Sequence, residues 1–238
     1  MILGSYYLTV ELEGEKGEGM YFKDEDEALL AYVNGELGLH ARVKIRRTLE
    51  FNGEMRSKTV ETTVGRVIYN EGIPQDLGFV DRTNPETAFD LEIGFPVIKK
   101  NLGGIIARCI SIHGLSKTSE VLDYIKTIGF KYSTKGAITV SVSDVAVPEA
   151  KKGILEQAEI QVDEIGKQYK RGLITEEERY ASVIKIWEKV TNDVTEAMKE
   201  NFYDLNPIYM MAQSGARRKY EPIKTNSRYA WSYGKYFW

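Results

Sequence analysis

Side chains that commonly carry out chemistry are sparse in this chain. It contains two histidines, His40 and His113, and one cysteine, Cys109, so its own residues make neither a disulfide nor a cysteine-rich zinc site. The glycine-rich residues 14–19 lack the Gly-Lys-Ser/Thr sequence of a phosphate-binding loop. There is no dinucleotide fingerprint and no Ser/His/Asp arrangement that we can identify. We therefore predict no catalytic residue and no metal ligand in this chain.

Cations are the next candidates for a functional surface. Apolar and basic residues alternate along residues 39–49, as expected of a half-buried strand, and the basic side carries Arg42, Lys44 and Arg46. Such a face either contacts phosphates or is solvated. The pattern favours the solvated face, and the net charge of −3 gives no general signal for nucleic-acid binding.

Residues 148–201 have the strongest periodicity and predict two helices that fold back on each other. Apolar residues recur at spacings of three and four, which places one narrow stripe on each helix, as in a coiled coil. The stripes are Ile154, Ala158, Val162, Ile165 and Tyr169, followed by Tyr180, Val183, Trp187, Val190, Val194 and Met198. Because each helix would be roughly 30 Å long, we expect the hairpin to protrude and contact a partner. The same spacing also fits two packed helices of a bundle.

The turn between these helices carries its own signals. Gly172 is expected to end the first helix in the left-handed conformation, and Thr175 with Glu178 forms a capping box that starts the second. Lys170 and Arg171 would then make a basic tip.

The remaining elements predict an α+β fold of mixed helices and short antiparallel strands. We expect helices at residues 24–34, 102–114 and 116–128, the last ended by Gly129. Strands are predicted at residues 39–49, 60–69 and 137–142, with a hairpin turn at Asn52-Gly53. Residues 1–9 are predicted to form a short buried helix or strand. Residues 1–9 and 208–211 are also expected to expose apolar surface.

Composition is typical of a soluble protein. The chain has 238 residues, of which 42% are hydrophobic and 28% charged, enough to bury a core. No run approaches the roughly 20 apolar residues that span a bilayer, and we see no signal-peptide pattern in the first residues. We therefore expect a cytoplasmic protein without membrane contacts.

Several stretches resemble the beta-prime subunit, the largest catalytic subunit of bacterial DNA-directed RNA polymerase. They follow the family's order from Ile2 to Arg217, and residues 84–112 resemble it least. The matching stretches are LGSYYLT, KGEGMYF, LHARVKIR, TTVGRVIYNEGIP, IKTIGFKYSTKGAITVSVSDVAVP, YKRGLITEEERY and NPIYMMAQSGAR.

The resemblance implies roles for two regions. The hairpin resembles the rim helices of the secondary channel, where transcript-cleavage factors and related regulators dock. Its docking tip would be Lys170, Arg171, Gly172, Leu173 and Ile174.

Residues 206–217 resemble the loop that packs beside the family's bridge helix, near the active centre. Its candidate residues are Asn206, Gln213, Ser214, Gly215 and Arg217. The family usually has Asp at the position of Gln213, so a negative charge and one expected partner of Arg217 are missing.

The resemblance also implies what lies outside the chain. The family's magnesium motif (Asn-Ala-Asp-Phe-Asp-Gly-Asp), its zinc sites, bridge helix and trigger loop are absent from the sequence, so we expect no cofactor here and no activity of the isolated chain. Expected partners are the other polymerase subunits and secondary-channel factors, with DNA and RNA contacted only through the assembled enzyme. The predicted organisation is an α+β body at residues 1–147, the hairpin at 148–201, the loop at 202–217 and a tail at 218–238.

The tail departs from the family in an informative way. A back-translation of residues 218–238, read one base forward, encodes GNMNQLRQIAGMRGLMANTSG, which resembles the start of the bridge helix. We interpret the tail as the product of a frameshift, real or from sequencing error, and expect it to be disordered; Met1 would then be an interior methionine of the subunit.

Two alternatives remain open. One is a stand-alone coiled-coil module that binds secondary-channel regulators. The other is a single-stranded nucleic-acid-binding protein that stacks bases on the aromatic and basic tail. The tail residues concerned are Tyr220, Tyr229, Trp231, Tyr233, Tyr236, Phe237 and Trp238, with Lys219, Lys224, Arg228 and Lys235.

Overall fold

The computed structural model describes residues 1–51, 54–141, 144 and 147–217. These residues divide into two compact units, Met1–Thr139 with Gln213–Arg217, and Val140–Ala212. The predicted tail and the predicted turn at Asn52-Gly53 lie outside the described residues. The helices are α1 (Ile2–Thr9), α2 (Glu25–Val33), α3 (Val64–Asn70), α4 (Lys99–Lys135), α5 (Ala150–Lys170), α6 (Glu176–Glu200) and α7 (Pro207–Gln213). The strands are β1 (Tyr21–Phe22), β2 (Arg42–Phe51) and β3 (Glu54–Thr63). The α+β prediction is confirmed.

A small sheet of order β1-β2-β3 forms one side of the first unit. β2 and β3 pair antiparallel from Arg42↔Thr63 to Phe51↔Glu54, whereas the short β1 pairs parallel to β2. Val43 and Ile45 are fully buried, which confirms the predicted alternation of β2. Their burial against Ala28 and Ala31 of α2 holds the sheet to the helix. Val33, the last residue of α2, is 77% exposed.

The main core of the first unit packs α1 and α3 against α4. Leu8, Tyr69, Ile105 and Ile125 are its fully buried centre. A Cβ on Gly4 of α1 would lie 1.8 Å from the carbonyl oxygen of Gly129 in α4, so only glycine allows this approach. The short buried helix predicted at residues 1–9 is confirmed as α1. The expectation that these residues expose apolar surface is wrong for Tyr6 and Leu8, which are buried, and Leu8 packs in the core with residues of α4.

Three other local predictions are also corrected. Val64–Asn70 is a helix rather than the end of a strand, because the Thr63 hydroxyl accepts from Arg66 N (3.2 Å) and caps the turn. The break predicted between two helices at Gly114 is confirmed, with a φ of 74° and a ψ of −177° there, but the second helix continues past Gly129 to Lys135. Residues 137–141, the described part of the predicted strand 137–142, form no strand.

An ion pair with a fully buried carboxylate holds the irregular segment between α3 and α4. The Glu92 carboxylate has no exposed area; it accepts from Phe79 N (2.5 Å) and pairs with the guanidinium of Arg82 (3.0 Å). Arg82 Nη1 also donates to the carbonyl oxygens of Ala88 and Asp90. These contacts replace the regular backbone hydrogen bonds that a helix or sheet would supply.

The second unit contains the predicted hairpin as α5 and α6. Ala158 of α5 and Val190 and Val194 of α6 are buried together, so the two helices pack on each other at these positions of the predicted stripes. Burial decreases toward the turn, where Tyr169 is 42% exposed and Tyr180 64% exposed. The stripe is therefore well packed at one end of the hairpin and open at the other.

Candidate functional site

The turn between α5 and α6 is built by two capping motifs that agree with the sequence signals. Gly172 has a φ of +71°, its N–H donates to Tyr169 O (2.9 Å), and Leu173 N donates to Gln168 O (3.1 Å). These two bonds are the Schellman motif, which satisfies carbonyl groups at the end of α5. The prediction that Gly172 ends the first helix in the left-handed conformation is confirmed.

The second motif starts α6. Thr175 N donates to Glu178 Oε2 (2.8 Å), and Glu178 N donates to Thr175 Oγ1 (3.3 Å), which completes the predicted capping box. The hydrogen bonds from Thr175 lower the pKa of the Glu178 carboxyl, so this group stays ionised beside the N-terminal end of the helix.

Three of the five predicted tip residues present charge or apolar surface at this turn. Lys170 and Arg171 are exposed, and the Leu173 side chain is 69% exposed. Ile174 is half-buried. The turn thus places an apolar side chain beside two cations, on a backbone held by its own hydrogen bonds.

Acidic residues follow the tip on α6. Glu176, Glu177 and Glu178 occupy its first turn, and Arg179 forms an ion pair with Glu176. This pairing lowers the pKa of the Glu176 carboxyl. The Arg179 guanidinium also lies 5.5 Å from the centre of the Tyr169 ring on α5, which links the two helices near the turn. Sequence reasoning missed this link, because the two residues belong to different helices.

The residues of the predicted active-centre loop belong to both units. Asn206 is buried in the second unit, where its side-chain amide donates to Asp144 O (2.9 Å) and its Oδ1 accepts from Ile208 N (3.0 Å). Its polar atoms therefore start α7 and anchor residue 144.

The other loop residues belong to the first unit. Ser214 is fully buried, and its carbonyl oxygen accepts from Lys99 N (2.8 Å) at the start of α4. Gly215 has a φ of +73°, and a Cβ there would lie 3.3 Å from Lys99 Cβ. Gln213 and Arg217 are exposed. Ser214 and Gly215 thus anchor the loop, while the exposed side chains remain accessible.

The basic face of β2 is largely occupied by contacts within the chain. Arg42 Nη2 lies 3.0 Å from Glu11 Oε1, and this carboxylate raises the pKa of the guanidinium. Lys44 Nζ donates to the Tyr21 hydroxyl (3.1 Å). Phosphate binding by this face would have to displace these partners. The contacts therefore favour the alternative in which the face binds no phosphate.

Neither histidine belongs to a metal-binding group in the structure. Among the described residues, no three or more His, Cys, Asp and Glu side chains are placed to hold a metal ion. His113 lies next to the break at Gly114, and its Nε2 is 2.7 Å from Asp76 Oδ1. None of the helices formed by the described residues is long and apolar enough to cross a membrane.

Comparisons with known proteins agree on one family. The profile of RNA polymerase Rpb1 domain 3 matches residues 1–145. DNA-directed RNA polymerase subunits beta-prime from Caldanaerobacter subterraneus and Thermoanaerobacter pseudethanolicus are each 54% identical to this chain over 224 residues, which is 94% of the chain. That of Clostridium novyi is 52% identical over the same length. The chain spans about a fifth (19%) of the length of these relatives. With more than half of its residues matched by the profile, the chain belongs to the RNA polymerase beta-prime subunit family.

Proposed function

We propose that this chain acts within DNA-directed RNA polymerase, where the α5–α6 turn is the docking tip for transcript-cleavage and related secondary-channel factors. The assembled enzyme would supply the template, the transcript and the catalytic magnesium, while this chain supplies a contact surface. The resemblance of residues 148–201 to rim helices motivates the proposal. The observation that carries it is the exposed tip, whose backbone is held by a Schellman motif and a capping box.

A docking surface needs side chains that are exposed and a backbone that is held in place. An apolar side chain that is already exposed can be buried by a partner with little rearrangement of the turn, which lowers the entropic cost of association. Leu173 provides such an anchor, and Lys170 and Arg171 provide charges that would attract an acidic surface.

The experiment measures binding of a purified transcript-cleavage factor to the chain and to charge-reversal variants. The tip variant carries Lys170→Glu and Arg171→Glu. Its control carries Lys185→Glu and Lys189→Glu, two exposed positions on α6 with the same change of net charge. We expect the dissociation constant to rise about tenfold or more for the tip variant only, and less so at high salt.

Folding has to be separated from binding in this test. A glutamate near the end of α5 is unfavourable for the helix, so a second tip variant carries Lys170→Gln and Arg171→Gln, and circular dichroism compares the helical content of all variants. Equal weakening by the tip and control pairs would contradict the proposal, as would unchanged binding by both tip variants.

A further inference from the structure

His40 joins the loop at residues 10–19 (the 10–19 loop) to the segment that leads into β2. The side chain is 2% exposed, and its Nδ1 lies 3.2 Å from Val10 O. Its backbone N–H donates to Glu15 Oε2 (2.9 Å), and its carbonyl oxygen accepts from Leu12 N (3.1 Å). Three attachments of the 10–19 loop therefore meet at one residue.

The contacts of the ring indicate its protonation state. A carbonyl oxygen only accepts hydrogen bonds, so the Nδ1 that faces Val10 O carries the proton and Nε2 carries a lone pair. Nε2 is buried and has no hydrogen-bond partner. A second proton would create a buried N–H without an acceptor together with a buried positive charge, and both are costly.

The groups around the ring come from three elements. Tyr7 of α1 meets it edge to face, with ring centres 4.7 Å apart. Burial raises the pKa of Tyr7, and Tyr32 of α2 and Glu15 of the loop raise it further. Burial is the largest influence on the His40 ring and lowers its pKa, although Glu15 and the hydrogen bond to Val10 O favour the charged form. Lys16 of the same loop is engaged with Gly35 O.

We propose that His40 is a proton-operated latch, in which the neutral ring holds the 10–19 loop to the segment before β2 and protonation of Nε2 releases the loop. The loop carries Glu11, whose carboxylate bridges Arg42 (3.0 Å) and the buried Arg66 (2.8 Å). Release would separate Glu11 from Arg42 and expose a cation of the β2 face. The latch thus couples one proton to the charge that this face presents.

Hydrogen exchange measured by mass spectrometry on the full chain tests the latch. The pH is lowered from about 7.5 to about 5, and rates are corrected for the intrinsic pH dependence of exchange. His40→Asn is the test variant, because an asparagine amide can donate to Val10 O but gains no proton. His113→Asn is the matched control, since it removes the chain's other histidine.

We expect protection of peptides from the 10–19 loop to fall about tenfold or more at low pH in the wild type and in His113→Asn. The same peptides of His40→Asn should keep their protection at both pH values, and peptides from α5 and α6 should not respond. The latch is refuted if wild-type protection is unchanged, or if His40→Asn responds like the wild type.

A second measurement covers the case in which His40→Asn does not fold. Nuclear magnetic resonance of the two histidine rings follows protonation of each ring in the wild type. Loss of loop protection must track protonation of His40; a loss that tracks His113 would overturn the proposal.

Discussion

Single buried charges hold segments of this chain that have no regular secondary structure. Glu92, with no exposed side-chain area, pairs with Arg82 and accepts from Phe79 N, so one carboxylate organises both ends of an irregular stretch. Arg66 serves a similar purpose near α1, because its guanidinium donates to Thr9 O (3.0 Å) and pairs with Glu11. Neither pairing follows from sequence spacing.

Replacement of Glu92 by Gln should destabilise the first unit by about 3 kcal/mol, because the guanidinium of Arg82 loses its buried anion. The matched control is Glu54→Gln, which removes a carboxylate from the exposed ion pair with Arg56 and should cost less than about 1 kcal/mol. Urea unfolding followed by circular dichroism measures both. Similar effects of the two variants would show that burial of the Glu92 pair does not matter.

At the scale of helices, glycines occur both where two helices pack closely and where a helix faces open space. Gly4 and Gly129 allow α1 to approach α4, since a Cβ on Gly129 would lie 2.6 Å from Met1 O. Gly153 and Gly166 of α5 have no atom within 4 Å of such a Cβ. The same residue type therefore has opposite consequences in two helices.

The substitution of each glycine by alanine tests this difference. Gly4→Ala should lower the free energy of unfolding by about 3 kcal/mol, since the added methyl group collides with backbone atoms. Gly166→Ala should raise the stability of α5 by up to about 1 kcal/mol, because alanine is the better helix former. Thermal unfolding by circular dichroism measures the first, and hydrogen exchange of α5 peptides measures the second. Destabilisation by both variants would contradict this account of α5.

At the scale of the whole chain, the described residues present three surfaces. The tip of the hairpin, the basic face of β2 and the loop at Ser214 and Gly215 are each anchored by contacts within their own unit. The described residues offer no cluster of metal-binding side chains.

We expect the purified chain, supplied with template, primer, nucleoside triphosphates and magnesium, to give no extended RNA. The reason is that the family's magnesium motif is absent from the sequence. A gel-based primer-extension assay checks this, with a complete bacterial RNA polymerase as the positive control. Extension by the chain without other subunits would refute the expectation.

The sequence by itself predicted those features whose causes lie within a few residues of one another. The alternation of β2, the capping box at Thr175 and Glu178, the glycine turn at Gly172 and the stripes of α5 and α6 all depend on short-range spacing. The resemblance to the beta-prime subunit was also visible, because long motifs follow one another in the family's order.

Only the tertiary structure decided the features whose partners are far apart in the chain. Glycine often ends a helix, yet α4 continues through Gly129. The missing side chain at this position instead leaves room for α1. Thr63 ends β3 by capping α3, a change from strand to helix that the apolar pattern of residues 60–69 did not reveal. His40 acquired its contacts with Val10 and Glu15 across 30 and 25 residues. Such contacts depend on packing between elements, which local propensity does not encode.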